Sequence, residues 1–232
     1  MSRIARLHLP AIALALGFLG DAAFSEGQEA PSQSFAEVAV SFETNTTDGD
    51  FEVVFEAKGG DEGLEQLTVV APDGRTVLDM TCPPPAGLGI RSFRFESPEP
   101  PNADAVRKAF PAGSYTFRGK TVDGKTLTGK ATLSHTLPAT TALLAPEPES
   151  EDVPAGALEI RWKSVPGIAG YFLEVEQADA NTSLAVNLPA TASAFTVPAG
   201  FLAPGHEYSL SVGTRTADGN LAVVETSFTT AK

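Results

Sequence analysis

Histidine is the side chain that most often transfers protons near neutral pH, and this sequence contains few of them. His8 lies in an apolar N-terminal stretch, so His135 and His206 are the two that a processed chain would keep, one in each half of the sequence. Acid–base and nucleophilic catalysis usually recruit a histidine beside a second polar group, and no nucleophile elbow, His-Glu-x-x-His or phosphate-loop motif occurs. A glycoside hydrolase needs only two carboxylates, but most acidic residues here fall in turns or at outward strand positions. The sequence therefore predicts a non-enzymatic protein without a cofactor.

Carboxylates are the second group that could do chemistry, and several lie in one proline-rich connection. Glu147, Glu149, Glu151 and Asp152 follow one another closely. Calcium takes about six to eight oxygen ligands, which clustered carboxylates in a loop can supply in part. The spacing does not match an EF-hand loop, and a solvated acidic loop is the alternative. These four residues are weak calcium candidates, and no other metal site is predicted.

One aromatic side chain is predicted to point outward, where it could contact a ligand. In "GYFLEVEQA", strand alternation places Tyr171 inward and Phe172 outward. Phe172 is therefore a possible contact for a carbohydrate, or for the first domain or a partner. Sugars stack more often on tryptophan or tyrosine, and the only tryptophan, Trp162, has the pattern of a core residue.

Charge and cysteine content exclude several classes of protein. The formal net charge is −13, so the chain has no basic face for nucleic acid and is unsuited to anionic membrane surfaces. Cys82 is the only cysteine, which rules out a disulfide within the chain and a cysteine-based zinc site. Its thiol is either a small buried apolar group or free for an intermolecular bridge.

The N-terminal stretch "MSRIARLHLPAIALALGFLGDAAFS" has the pattern of a secretory signal peptide. Arg3 and Arg6 precede an apolar run that is shorter than the roughly 20 residues needed to span a bilayer. We predict a signal peptide over residues 1–25; an uncleaved anchor is the alternative. The mature chain would be periplasmic or secreted, with no stable membrane insertion and a polar tail over residues 26–34.

The rest of the sequence consists of short alternating apolar runs separated by turn residues. Asp-Gly pairs at Asp73, Asp123 and Asp218 mark hairpins, and Asn102 is placed to cap the one short helix. About seven strands per half are typical of an immunoglobulin-like sandwich. The predicted fold is all-β, with two tandem sandwiches over residues 35–136 and 137–232.

The two halves also resemble each other near their ends. "FPAGSY…VDGK" in the first half corresponds to "LAPGHEY…ADGN" in the second. Tyr115 and Tyr208 stand where a sandwich places its tyrosine corner, whose ring packs inward while the hydroxyl bonds to upstream backbone. We therefore predict structural roles for both tyrosines.

The second half closely resembles a fibronectin type III domain. The matching residues are Trp162, Tyr171, Leu202 with Pro204, and Tyr208, while the acidic stretch before them departs from the family. The resemblance implies a seven-stranded sandwich that serves as a spacer or interaction module, with Trp162, Tyr171, Leu202 and Tyr208 as structural residues. The first half resembles a more distant immunoglobulin-like domain, chiefly around Tyr115.

The function predicted from these features is that of an exported, non-catalytic interaction or adaptor module. Its partner would be an envelope or extracellular protein, and an exposed edge strand could accept a strand of that partner. A carbohydrate-binding module is the alternative, and a structural spacer with weak calcium binding is the third possibility. The oligomeric state does not follow from the sequence.

Overall fold

The computed structural model describes residues 32–82, 89–98 and 102–232, which form an almost entirely β protein. The predicted signal peptide and most of the predicted polar tail lie outside the described residues. Within these three ranges, no helix is long and apolar enough to cross a membrane.

The first half forms a sandwich of two sheets with one short helix. A sheet with the order β1-β8-β7-β4-β5 packs against strands β2, β3 and β6. Asn102 caps the helix as predicted, because its side chain accepts a hydrogen bond from the Ala105 N–H at 3.0 Å. The elements are β1 (Gln33–Ser34), β2 (Glu37–Asn45), β3 (Asp50–Lys58), β4 (Leu64–Val70), β5 (Thr76–Thr81), β6 (Ser92–Glu96), α1 (Ala103–Ala109), β7 (Gly113–Thr121) and β8 (Thr126–Leu133).

The second half forms a second sandwich. Strands in the order β14-β11-β9 face strands in the order β13-β12-β15-β16, and their inward side chains form a separate apolar core. A short 3₁₀ helix, Ala178–Ala180, precedes β13. The strands are β9 (Leu143–Ala145), β10 (Ser150–Val153), β11 (Glu159–Trp162), β12 (Gly170–Gln177), β13 (Thr182–Pro189), β14 (Ala194–Thr196), β15 (Glu207–Arg215) and β16 (Leu221–Thr230).

The two sandwiches share one topology, which confirms the predicted all-β fold class. The order β8-β7-β4-β5 in the first is repeated as β16-β15-β12-β13 in the second, and β2-β3-β6 is repeated as β9-β11-β14. Counted over the described residues, each half has one strand more than the seven expected. The additional strands are β1 and β10, and each runs parallel to the last strand of its own half. Part of the predicted tail and part of the acidic connection are therefore paired into sheets.

The sandwiches are joined edge to edge rather than by a free linker. The start of β16 pairs in parallel with the end of β2, with Leu221 opposite Glu43 and Val223 opposite Asn45. One continuous sheet, β13-β12-β15-β16-β2-β3-β6 with β10 also on β16, therefore runs through both halves. The edge of β16 is covered by β2 near its start and by β10 near its end, which leaves little of it free for other chains.

A buried asparagine closes this junction. The Asn220 side chain is fully buried, and its Oδ1 accepts a hydrogen bond from the Phe42 N–H at 2.8 Å. Its Nδ2 donates to the Thr136 carbonyl at 2.9 Å and to the Ser134 Oγ and carbonyl at 2.8 and 3.1 Å. One side chain of the second sandwich thus satisfies backbone groups of the first sandwich and of the connecting segment.

Candidate interaction surface

The residues predicted to be structural all lie in the two cores. Their exposed fractions are 4% or less, so none of their side chains is available to a ligand from solvent. These residues are Tyr115, Trp162, Tyr171, Leu202 and Tyr208.

Both corner tyrosines bond to upstream backbone. The Tyr115 hydroxyl donates to the Pro111 carbonyl at 3.1 Å, and burial raises the pKa of Tyr115 to about 12, so the hydroxyl keeps its proton. The Tyr208 hydroxyl accepts from the Ala203 N–H at 2.7 Å and donates to Gln177 Oε1 at 3.0 Å. The rings fill the core and the hydroxyls hold the segments that precede β7 and β15.

A third tyrosine has a comparable bond that sequence reasoning missed. The Tyr171 hydroxyl accepts from the Val165 N–H at 2.8 Å, and its ring lies 5.3 Å from that of Trp162. The sequence feature that could have indicated this bond is the Pro166-Gly167 turn just before β12, which brings upstream backbone over the ring. The Trp162 indole N–H is buried without a hydrogen-bond partner among the described residues, so the ring is held by packing.

The histidines and the cysteine are not brought together. His135 lies at the junction, where its Nε2 is 2.8 Å from the Phe110 carbonyl and its ring packs edge-on against Phe42. His206 is exposed just before β15. Cys82 is half-buried and free. No two of these three side chains form a catalytic pair.

The four calcium candidates are spread along an exposed segment. Glu147, Glu149, Glu151 and Asp152 are all exposed, and the last two belong to β10, which pairs with β16. Across residues 32–82, 89–98 and 102–232, the structure gathers no group of three His, Cys, Asp or Glu side chains that could hold a metal ion. Because β10 is part of a sheet, it cannot wrap around an ion as a loop would.

Phe172 lies in a groove over the junction of the two sandwiches. The groove has a volume of about 880 Å³ and follows the outer face of the continuous sheet, with Phe172 half-buried on one side. The cross-strand neighbours of Phe172 are Asn187 and Gly213. Because both are smaller than phenylalanine, the ring stands above that face. The charged residues in its lining are Glu37, Glu43, Glu52, Glu56, Arg94, Glu174, Arg215 and Asp218.

Carboxylates outnumber cations in this groove. Burial raises the pKa of Glu43, while its hydrogen bond from Ser41 Oγ at 2.7 Å and the charge of Arg94 act in the opposite direction. Arg94 Nη2 lies 3.7 Å from Glu43 and 2.6 Å from Glu96. Burial also raises the pKa of Glu174, as does the neighbouring charge of Glu176. The groove is therefore a polar, net acidic concavity.

Strand β13 is an open edge of the continuous sheet next to this groove. It pairs with β12 through all eight of its residues, and no described strand pairs with its other side. Its sequence, "TSLAVNLP", has no charged residue. Leu184, Val186 and Leu188 point toward the core and are half-buried, while Ser183 and Ala185 are exposed on the outer face.

The other edges are shorter or carry charges that discourage pairing. Strand β6, at the opposite edge of the continuous sheet, carries Arg94 and Glu96. Strand β5, the counterpart of β13 in the first sandwich, carries Asp79. Strands β9 and β14 have three residues each and β1 has two. Since short and charged edges are the usual protection against strand addition, β13 is the least protected edge of the described structure.

Comparisons with known proteins return structural likeness only. No family model and no curated protein matches the chain. A two-domain fibronectin type III segment of chicken tenascin is similar over 84% of this chain and 98% of its own, with 14% identity and a TM-score of 0.32. Fibronectin(III)-like modules of CbhA from Clostridium thermocellum are similar over 88% and 92%, with 12% identity and a TM-score of 0.32. These scores are too low to argue from, so the fold assignment rests on the strand order and pairing.

Proposed function

We propose that this protein is an exported, non-catalytic interaction or adaptor module that binds a protein partner by strand addition at β13. The envelope or extracellular location is supported by the signal-peptide pattern of residues 1–25. The observation that carries the binding mode is the uncharged outer edge of β13, with which no strand of the described residues pairs.

The main chain of β13 supports this mode energetically. An edge strand leaves every second backbone N–H and C=O without a partner in its sheet, and an extended peptide can pair with these groups. Pro189 lacks an N–H and marks the end of the usable edge. Main-chain bonds of this kind supply affinity with little demand on sequence, which suits an adaptor.

The strand pairing at the junction sets the position of this edge relative to the first sandwich. The β2–β16 pairing and the Asn220 hydrogen bonds hold the two sandwiches as one sheet. A partner on β13 would therefore take a defined orientation relative to the first sandwich. That property also suits the third possibility, a structural spacer, for which β13 would be a secondary feature.

Affinity capture with an edge-blocked variant tests the proposal. The mature protein, Ala185→Lys and Thr81→Lys would be immobilised and exposed to a native extract of the source's envelope or medium. Ala185→Lys places a charge on the exposed face of β13, and Thr81→Lys places the same charge on the corresponding edge, β5. Support would be a stoichiometric protein partner that is lost only with Ala185→Lys; equal retention by all three, or retention of none, contradicts it.

Carbohydrate binding in the groove is the second candidate, favoured by Phe172. Its half-buried ring stands beside Glu174 in a concavity that carboxylates line, and carboxylates can accept hydrogen bonds from sugar hydroxyls. Electrophoresis of wild type and Phe172→Ala through gels containing different polysaccharides would test this. Retardation that Phe172→Ala removes and Thr81→Lys, a change outside the groove, leaves unchanged would support it, whereas equal mobility with and without polysaccharide would reject it.

A further inference from the structure

Strand β13 presents different chemistry on its two faces, and both faces bear on what would bind there. On the core side, Leu184, Val186 and Leu188 are only half-buried. On the neighbouring β12, Tyr171, Leu173 and Val175 are 1% exposed or less. The apolar core therefore ends at β13 with part of its surface uncovered, and apolar side chains of an added strand would complete it.

On the outer face, a row of small side chains separates the open edge from two carboxylates. Ser183 lies opposite Glu176, and Ala185 lies opposite Glu174. Among the described residues, no cationic side chain forms an ion pair with Glu174 or Glu176. The charge of Arg94 acts to lower the pKa of Glu174, but Arg94 pairs with Glu43, Glu56 and Glu96. Adjacent strands are about 4.8 Å apart, so a strand added to β13 would lie about twice that distance from β12. A long cationic side chain could cross Ala185 and reach Glu174, because nothing bulky stands between.

We infer, on the basis of the proposed docking at β13, that the partner segment is an extended strand of alternating apolar and basic residues. Its apolar side chains pack beside Leu184, Val186 and Leu188, and its lysine or arginine side chains reach Glu174 and Glu176. The alternation follows from the period of two in a strand, because successive residues point to opposite faces of the sheet.

Charge also argues against a second copy of this chain as the occupant. The chain carries a net charge of −13, and pairing β13 with its own copy would bring two sets of Glu174 and Glu176 to the same face. The two sets would lie three strand spacings apart, about 14 Å, so their repulsion would be screened by salt, but neither set would supply the other with a cation. A basic segment of another protein meets the same carboxylates with attraction, and net charge complementarity speeds its association.

Three labelled octapeptides, acetylated and amidated, test the inference by fluorescence anisotropy. They alternate valine with lysine, with serine or with glutamate. We expect the valine–lysine peptide to bind most tightly, with the affinity falling as salt is raised. In the double variant Glu174→Gln/Glu176→Gln, its affinity should fall about fivefold, since exposed ion pairs contribute modestly, while the valine–serine peptide should be unaffected.

The protein variants separate charge selection from docking itself. Ala185→Lys should abolish binding of the uncharged valine–serine peptide, a loss that repulsion between lysines cannot explain, and Thr81→Lys, the corresponding change on β5, should not. Far-UV circular dichroism and thermal unfolding check that both variants fold. Amide hydrogen exchange should show new protection in β13 on peptide binding.

The outcomes distinguish docking at β13 from the inferred preference for basic residues. If the serine and lysine peptides bind equally and both are lost in Ala185→Lys, β13 is a docking edge and the inferred preference for basic residues is wrong. If the lysine peptide binds equally to Ala185→Lys, or if no peptide binds, strand addition at β13 is overturned as well. If gel filtration shows a dimer that Ala185→Lys dissociates, the occupant is a second copy.

Discussion

The change Asn220→Ala tests whether one buried side chain holds the two sandwiches together. It removes the acceptor of the Phe42 N–H and the two Nδ2 hydrogens that are shared among the Ser134 hydroxyl, the Ser134 carbonyl and the Thr136 carbonyl, which amounts to three full hydrogen bonds. A typical hydrogen bond contributes about 1 kcal/mol net, and a buried group left without a partner costs about 1–3 kcal/mol. Counting three bonds lost and at least one stranded backbone group, we expect a loss of about 4 kcal/mol in the free energy of unfolding.

Urea unfolding followed by fluorescence and circular dichroism measures this loss, and thermal unfolding should shift by about 10 °C. The chain supplies a matched control. Thr121–Lys125 and Thr216–Asn220 form the same turn, in which the first threonine hydroxyl accepts the fifth residue's N–H at 2.9 Å. Lys125 therefore occupies the position of Asn220 but is exposed, and Lys125→Ala should change stability by less than about 0.5 kcal/mol. If Asn220→Ala costs less than about 1 kcal/mol more than Lys125→Ala, the junction does not depend on this side chain and the reasoning is refuted.

Three further predictions concern single groups. Tyr208→Phe should destabilise the protein by about 1–2 kcal/mol, because it leaves the Ala203 N–H and the Gln177 side-chain Oε1 without a partner. Peptide binding at β13 should be unchanged, and lost binding at unchanged stability would contradict a structural role. Burial raises the pKa of Glu43 above its ordinary 4.5, so the native state holds this proton more tightly than the unfolded state does. The contribution of protonated Glu43 to stability is therefore greatest below pH 4.5 and falls as the pH rises through the native pKa. Glu43→Gln should then stabilise the protein at pH 7, have little effect near pH 3.5 and flatten the pH profile between; equal effects at both pH values would show that Arg94 compensates for burial. Calcium and chelator should leave the melting temperature unchanged, and a rise with calcium that the chelator reverses would reinstate the acidic connection as a binding site.

The fold was predictable from sequence because its signals are local. Alternation in "ALEIRWKSV" and the Asp-Gly turns specify strands and hairpins from adjacent residues. The corner tyrosines were predictable because each hydroxyl meets backbone only four or five residues upstream. A repeated motif in the two halves then indicated the repeated topology.

The junction was not predictable, because its contacts are remote in sequence. Asn220 bonds to Phe42 across 178 positions, and in the sequence it reads only as the last residue of an Asp-Gly turn. The parallel pairing of β2 with β16 likewise has no local signal, since both strands alternate like their neighbours. The outward position of Phe172 could be inferred from alternation, but the groove in which it lies exists only once the two sheets are joined.

The junction also explains why β13 is the available edge. In a free second sandwich, β10 would still cover the end of β16, but the start of this ten-residue strand, from Leu221, would be an open edge. Pairing with β2 at Leu221–Val223 and with β10 at Ser150 and Val153 covers both ends of β16. Weakening the junction should therefore expose a second edge, so Asn220→Ala should bind the valine–serine peptide at more than one site. A stoichiometry that stays at one in Asn220→Ala would mean that β2 remains on β16 without the asparagine, and that main-chain pairing alone keeps that edge closed.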